Sequence, residues 1–369
     1  MKITDLSVTL FNWDGIPPTT YNDHTGQFGG DSQLGLVKIH TDEGIDGYAF
    51  LGSSMFSADQ DALGLVKNLK PLLIGHDPLD REYLYDRIWH RNRFVTLRAI
   101  GAVDIALWDI GAKAADIPLY KLLGGFRDRV PAYASSEVLD SAEVYAQQAV
   151  EYKEAGWAAY KIHPPTRWRE DIQVCEAVRE AVGDDYTLML DSTWSYSYEQ
   201  AIRVGRAIES LGYYWYEDPL ADDDIYNCIK LREKLDIPLM ATEYSPGGFT
   251  AYAPWILNRA TDYLRGDVAV KGGITPLIKA AHLAEAFGMN FEIHHGGNSL
   301  NNWANLHVML AIQNCQFFEV LLPEKAQRYG VIDDIQPDPD GWVNAPTGPG
   351  LGANIDFELI AAKAVLDLT

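Results

Sequence analysis

Three short apolar runs constrain this chain more than any other feature. LMLDSTWS, YWYEDPL and LMATEYSPGG each close an aliphatic or aromatic stretch on one carboxylate: Asp191, Glu217 and Glu243. Runs of this length and type suit strands, and helix-length segments at 197–211 and 223–235 separate them. The acids stand 26 residues apart at both steps, which is the length of one strand, one helix and two loops. That spacing predicts acids at one end of neighbouring parallel strands, the end where (β/α) barrels carry their active sites. Three acids converging there repel one another unless a cation sits between them, and all-oxygen donors favour Mg²⁺ over Zn²⁺.

The ladder continues on both sides. Upstream, YKIH sets Lys161 and His163 two apart on a strand, so both share a face. Downstream come Asp267 in LRGDVAVKGG, His294 in FEIHHGG and Glu319 in FFEV. From His163 to Glu319 the steps are 28, 26, 26, 24, 27 and 25 residues. A single acid after a strand is as well explained as a helix cap; seven strand ends bearing Lys/His, Asp, Glu, Glu, Asp, His and Glu describe a catalytic ring. His295 must point away from its neighbour, into packing or a loop hydrogen bond. Lys271 falls outside the inward alternation and is expected to be structural.

The chain around the ladder divides in three. Residues 1–11 alternate as a strand, 13–32 read as a long loop, and LGLVKIHTDEGIDGYAFLG reads as a hairpin. Helical patterns follow at 58–71, 79–91 and 97–115, so strands then helices imply an α+β unit. The third helix carries small residues at Ala99, Gly101, Ala102 and Ala106, which admit a closely packed neighbour. Asp104 and Asp109 within it are expected to be structural. From Val130 strand and helix alternate, with strand candidates near 131, 159, 188, 214, 239, 265, 291 and 317. The expected organisation is an α+β capping domain over 1–125, a (β/α)₇β barrel over 126–323, and a segment over 324–369. That last segment is loop and turn with a short final helix returning to the first domain. Gly348, Gly350 and Gly352 follow no strand, which argues against a phosphate loop.

Composition narrows the partners. The 369 residues carry a net charge of −22, which argues against nucleic acid or an anionic membrane. An anionic small molecule is still permitted, because a metal and a few local bases reverse the field inside a cleft. No apolar run is long enough to span a bilayer and the N-terminus lacks a signal-type core, so a cytoplasmic protein is expected. Cys175, Cys228 and Cys315 show neither metal spacing nor a full disulfide framework.

With these residues in place, the chain resembles the mandelate racemase-like branch of the enolase superfamily over essentially its whole length. AIGAVDIALWDIGAK looks like the family's N-terminal signature, and DSTWSY…YEDP like its second. The resemblance implies a capping domain over the barrel, and Mg²⁺ on Asp191, Glu217 and Glu243 holding a substrate carboxylate. It further implies an Asp267–His294 dyad, and Glu319 hydrogen-bonded to the substrate carboxylate. Lys161 and His163 take the positions of the family's Lys-x-Lys pair. Three positions depart from the pattern: His163 replaces the second Lys, Thr193 stands where Asn is usual, and Tyr216 stands where an aliphatic residue is usual.

The implied chemistry is removal of the weakly acidic proton beside a carboxylate. A metal and Lys161 would offset the charge that develops, and His294 would act as base near neutral pH. Two histidines on opposite sides favour β-elimination, giving dehydration of a sugar acid to a 2-keto-3-deoxy acid. The alternative is racemisation or epimerisation of a hydroxy acid by the same two residues. A metal hydrolase would normally need a His-x-His, which the chain lacks. By resemblance, the loops 13–32 and 52–58 should reach over the barrel mouth, with Tyr21, His24, Phe28, Met55 and Phe56 on the distal end of the substrate. Trp168, Trp194 and Trp303 suit stacking on a sugar and ordinary packing equally. A homo-oligomer is expected.

Overall fold

The computed structural model describes residues 1–244 and 247–369. Its N-terminal α+β domain starts with an antiparallel meander of β1 (Ile3–Thr19), β2 (Phe28–Thr41) and β3 (Gly47–Leu51). The long loop expected over 13–32 is therefore mostly strand. Trp13 pairs with Ser32, Ile16 with Gly30 and Thr19 with Phe28, leaving only 20–27 outside the ladder. Trp13 and Ile16 keep their side chains in the core, and register shifts on either side of Ile16 absorb the glycine and prolines that argued for a loop.

Helices α1 (Asp59–Leu73), α2 (Arg81–Trp89) and α3 (Leu97–Ala114) follow, then the short α4 (Leu119–Leu122). The Thr96 hydroxyl caps α3 by accepting from the Ala99 amide at 3.3 Å. The small residues of α3 do admit a close neighbour. A Cβ on Gly101 would stand 2.5 Å from the carbonyl oxygen of Val268, so this domain presses directly on the segment after a barrel strand. Asp104 accepts from the Thr275 amide and hydroxyl at 2.8 and 2.7 Å, tying α3 to the start of a barrel helix, where a negative charge is favoured. Asp109 accepts from the amides of Tyr48 and Leu351. Both acids are structural, as expected.

Eight parallel strands form the barrel: β4 (Arg129–Ser135), β5 (Ala159–Ile162), β6 (Thr187–Asp191), β7 (Trp215–Glu217), β8 (Leu239–Ala241), β9 (Tyr263–Gly266), β10 (Asn290–Ile293) and β11 (Phe318–Leu321). Helices α5 (Ala142–Glu154), α6 (Trp168–Val182), α7 (Tyr198–Ser210), α8 (Ile225–Arg232), α9 (Ala253–Leu257), α10 (Ile274–Ala286) and α11 (Ser299–Ala311) intervene. Each strand pairs with its neighbours in the order β10-β9-β8-β7-β6-β5-β4-β11. Among the described residues the ladder is not continued between β10 and β11. That seam is stitched instead by Phe291 N–H to the Asn314 carbonyl at 2.7 Å and by the Glu292 carboxylate, which accepts from the Gln316 amide at 3.0 Å.

Inside the barrel, Tyr133, Ala159, Met189, Trp215 and Met240 form a buried apolar plug. Strand alternation puts the next inward residue two positions later: Ser135, Lys161, Asp191 and Glu217. On β8 the same count gives Thr242, not Glu243. Thr242 has φ +83°, a conformation that is strained for a β-branched residue, and its hydroxyl takes the place of a ladder partner for Arg265. The turn brings Glu243 into the ring one residue late.

Two further elements complete the sheets. Strand β12 (Trp342–Asn344) pairs antiparallel with β4. After the expected final helix, α12 (Phe357–Lys363), an unexpected strand β13 (Ala364–Leu368) pairs antiparallel with β1 and covers its open edge. No helix among the described residues is long and apolar enough to cross a membrane.

Candidate active site

The ladder of strand-end residues converges above the apolar plug. Asp191, Glu217 and Glu243 are buried and offer carboxylate oxygens within 4.8 Å of one another. Asp191 and Glu217 are register partners on β6 and β7. Two buried cations lie among them. Lys161 Nζ is 3.0 Å from Asp191 Oδ2, 2.9 Å from Glu217 Oε2 and 2.8 Å from Glu319 Oε1. Arg265, which points inward two residues before Asp267, is 2.5 Å from Glu217 Oε1 and 3.2 Å from Glu243 Oε2, and also pairs with Glu319.

Four carboxylates face two fixed cations in a buried layer. That surplus, the purely oxygen donor set and the close approach of three acids fit a hard divalent cation such as Mg²⁺. The strain is visible in the acids. Burial, and the neighbouring charge of Asp191 working against Arg265 and Lys161, push Glu217 up to about 8. Burial acts the same way on Asp191 and Glu319, but Lys161 and Arg265 outweigh it and hold both well below the carboxylate range. Both Glu319 oxygens are engaged by these cations. The hydrogen bond to a substrate carboxylate implied by the family resemblance would therefore require a proton on one of the two carboxylates.

The two histidines are placed differently. His294 Nδ1 lies 2.6 Å from Asp267 Oδ2, and its Nε2 stands 3.6 Å from Glu243 Oε1. Asp267 is held in turn by the amides of Ala269 and Val270, both at 2.7 Å. Burial opposes the charged imidazole, but Glu243 and Asp267 prevail and raise His294 to about 9. His163 Nε2 is 3.0 Å from Asp191 Oδ2, and its Nδ1 is 2.7 Å from the Ser136 carbonyl. His295 turns away, as its position predicts. Its ring packs 4.0 Å from Phe318, and burial drives it down to about 3. Lys271 donates to the Tyr244 carbonyl at 2.9 Å.

A cavity of about 380 Å³ opens above the ring, within the range of small-molecule sites. Lys161, His163, Asp191, Glu243, Asp267, His294 and Glu319 all line it, as do Tyr21, Met55 and Phe56 of the N-terminal domain. Glu217 lies beneath the lining, among Lys161, Arg265 and Trp215. Two of the residues expected at the distal end lie outside this lining. His24 is exposed outside the cavity, and Phe28 is part of β2 and packs on Tyr21, with ring centroids 5.8 Å apart. Both follow from the shortened loop, which brings in Asn22 instead. Its amide donates to the Thr193 carbonyl and hydroxyl at 2.6 and 2.7 Å, clamping the loop onto the turn after Asp191. Of the three tryptophans only Trp194 lines the cavity. Trp168 lies under Arg169 and Trp303 donates to Asp334.

Sequence reasoning also passed over Arg98 and Arg265. The second had a signal, since it alternates with Asp267 on one strand. Arg98 had none until the fold brought α3 over the barrel.

Residues 144–359 match the enolase C-terminal domain-like family, and 18–124 match the N-terminal domain of mandelate racemase and muconate lactonizing enzyme. The chain belongs to the enolase superfamily, in its mandelate racemase-like branch. Among enolase-superfamily relatives, the arabinonate dehydratase of Saccharolobus solfataricus is 32% identical over 85% of this chain and 86% of that protein. The N-succinyl-L-Arg/Lys racemase of Bacillus cereus is 31% identical over 89% of this chain and 90% of its own. A solved structure of D-glucarate dehydratase from Agrobacterium tumefaciens, complexed with magnesium, superposes with a TM-score of 0.87 at 34% identity, covering 99% of this chain and 100% of that one.

Proposed function

We propose that this enolase-superfamily member is a Mg²⁺-dependent hydro-lyase that dehydrates a sugar acid to a 2-keto-3-deoxy acid. The observation that carries the reading is the unequal bonding of the two histidines across the ring. His294 has one nitrogen fixed by Asp267 and the other turned toward the cavity, which suits a base. Both ring nitrogens of His163 face acceptors, the Ser136 carbonyl and Asp191. Each of those acceptors suits a ring N–H, so His163 is placed as a donor, the part a general acid plays.

Asp191, Glu217 and Glu243 would hold Mg²⁺, which when bound supplies positive charge beside the substrate carboxylate. Lys161 adds to that charge from below. His294 Nε2 takes the proton from the carbon next to the carboxylate. The electron pair left behind forms a double bond to the neighbouring carbon as its C–O bond breaks. His163 gives its proton to the departing oxygen, which leaves as water, and the resulting enol tautomerises to the 2-keto acid. The names of relatives such as the arabinonate dehydratase and an L-talarate/galactarate dehydratase of Salmonella typhimurium support dehydration. The racemase relative keeps a second reading alive, in which His163 and His294 are opposed bases for 1,1-proton transfer.

Incubation of the Mg²⁺-loaded protein with a panel of mono- and diacid sugars, followed by assay for 2-keto product, tests the proposal. Product is expected from at least one acid. Inversion of a carbinol centre without any keto product would replace dehydration by racemisation or epimerisation.

A further inference from the structure

We infer that Arg98 receives a second carboxylate, so that the substrate is a diacid sugar and not the corresponding monoacid. This deepens the proposed dehydration of a sugar acid and rests on it. The cavity has a floor and a roof of different origin. Its floor is the ring of barrel residues around Asp191 and Glu243, while Arg98 and Phe56 belong to the N-terminal domain above. A substrate whose reacting carboxylate lies on the floor presents its other end to that roof.

Arg98 is built as a receptor there. Its Nε is 3.3 Å from Asp61 Oδ2, and its guanidinium lies over the Phe56 ring, 4.5 Å from the centroid. These two contacts fix the plane of the fork. Among the described residues Asp61 is its one ion-pair partner, and no hydrogen bond there uses the two terminal amino groups. They are the paired donors that match a carboxylate in bidentate fashion. The other cation-bearing side chains of the site are already committed: Lys161 to three carboxylates, Arg265 to three.

Local structure argues in the same direction. Arg98 is the second residue of α3, whose first turn holds no acid. A cation at that end opposes the helix dipole. A residue kept against its local preference while its donors face a cavity points to a ligand.

Galactarate and galactonate differ only at the far carbon, as do glucarate and gluconate. The Mg²⁺-loaded full-length protein should turn over the diacid of at least one pair with a kcat/KM roughly a hundredfold above its monoacid, the order expected when a polar partner is missing from a site built to bond it. Arg98→Met should remove about the same factor from the diacid, chiefly through KM, and change the monoacid less than about threefold. Arg98→Lys keeps the charge without the fork and should fall between. If Arg98→Met does not fold, Arg98→Lys and the thermal shift of the unaltered protein with each acid carry the same comparison. Equal loss on both acids, preference for the monoacid, or preference for 6-phosphogluconate would overturn the assignment of Arg98 while leaving dehydration intact. Neither turnover nor a thermal shift with any of these acids would overturn the sugar-acid reading, and this inference with it.

Discussion

The ends of β5 and β10 each present a histidine to the same cavity, and the difference between them is instructive. At β10, Asp267 holds one nitrogen of His294, and two backbone amides hold Asp267 in turn. Among the described residues the other nitrogen has no closer partner than Glu243 at 3.6 Å. At β5, both nitrogens of His163 are engaged, one with a backbone carbonyl and one with a candidate metal ligand, and Tyr21 packs 5.0 Å from its ring. One imidazole is oriented and accessible. The other is enclosed, and its chemistry is coupled to Asp191. Similar residues in matching positions thus receive opposite equipment from what surrounds them.

Removing the metal should have the largest effect on this comparison. EDTA is expected to abolish turnover and Mg²⁺ to restore it, because a buried layer with more carboxylates than fixed cations disfavours a further carboxylate. Full activity after exhaustive chelation would sink the ligand assignment. Next comes the comparison of the histidines themselves. In D₂O, His163→Asn should lose 2-keto product yet still exchange the α-hydrogen of a substrate, while His294→Asn should do neither. Product formation by His163→Asn at the parent rate would show that the two are not an acid and base pair. Asp267→Asn should lower kcat by roughly two to four orders of magnitude, by analogy with the buried Asp of a catalytic triad, and a near-normal rate would mean that His294 is independent of it.

The smallest effect is one of linkage. His294 lies near 9 in the metal-free protein, above the ordinary value of 6.5, so its favourable charge interactions stabilise the fold fully below about pH 6.5. They are lost as pH rises through 9. Mg²⁺ on Glu243 would cancel part of the charge that raises it. Thermal melts across pH 6.5–9 should therefore show a shallower fall in Tm with Mg²⁺ than without, and identical slopes would count against a cation beside His294.

The parts of this site that were legible in the sequence share one property: they are periodic. Repetition of strand, helix and strand fixes the interval between Asp191, Glu217 and Glu243, and simple alternation pairs Lys161 with His163. Strand β13 was hidden because AVLDL is short and follows directly on a helix; the unpaired edge of β1 selects its conformation, and that edge lies more than 350 residues away in sequence. Arg98 and Asn22 were hidden for a related reason. Their roles depend on how one domain sits on another, which no local pattern encodes. Thr242 is the opposite case, a residue whose irregular backbone keeps Glu243 in step when alternation alone would turn it outward.

The seam between β10 and β11 has a consequence in time. With no ladder toward β10 among the described residues, β11 is held in the sheet by β4, pairing Phe318 with Ala132 and Glu319 with Tyr133, partners 186 positions apart in sequence. Neighbouring strands earlier in the barrel meet after some 25 residues, whereas this pairing must close the largest loop of the barrel before any contact rewards it. Glu319, with its grip on Lys161 and Arg265, should be the last charge to arrive. In a barrel without it, both cations would face only the three metal-site acids.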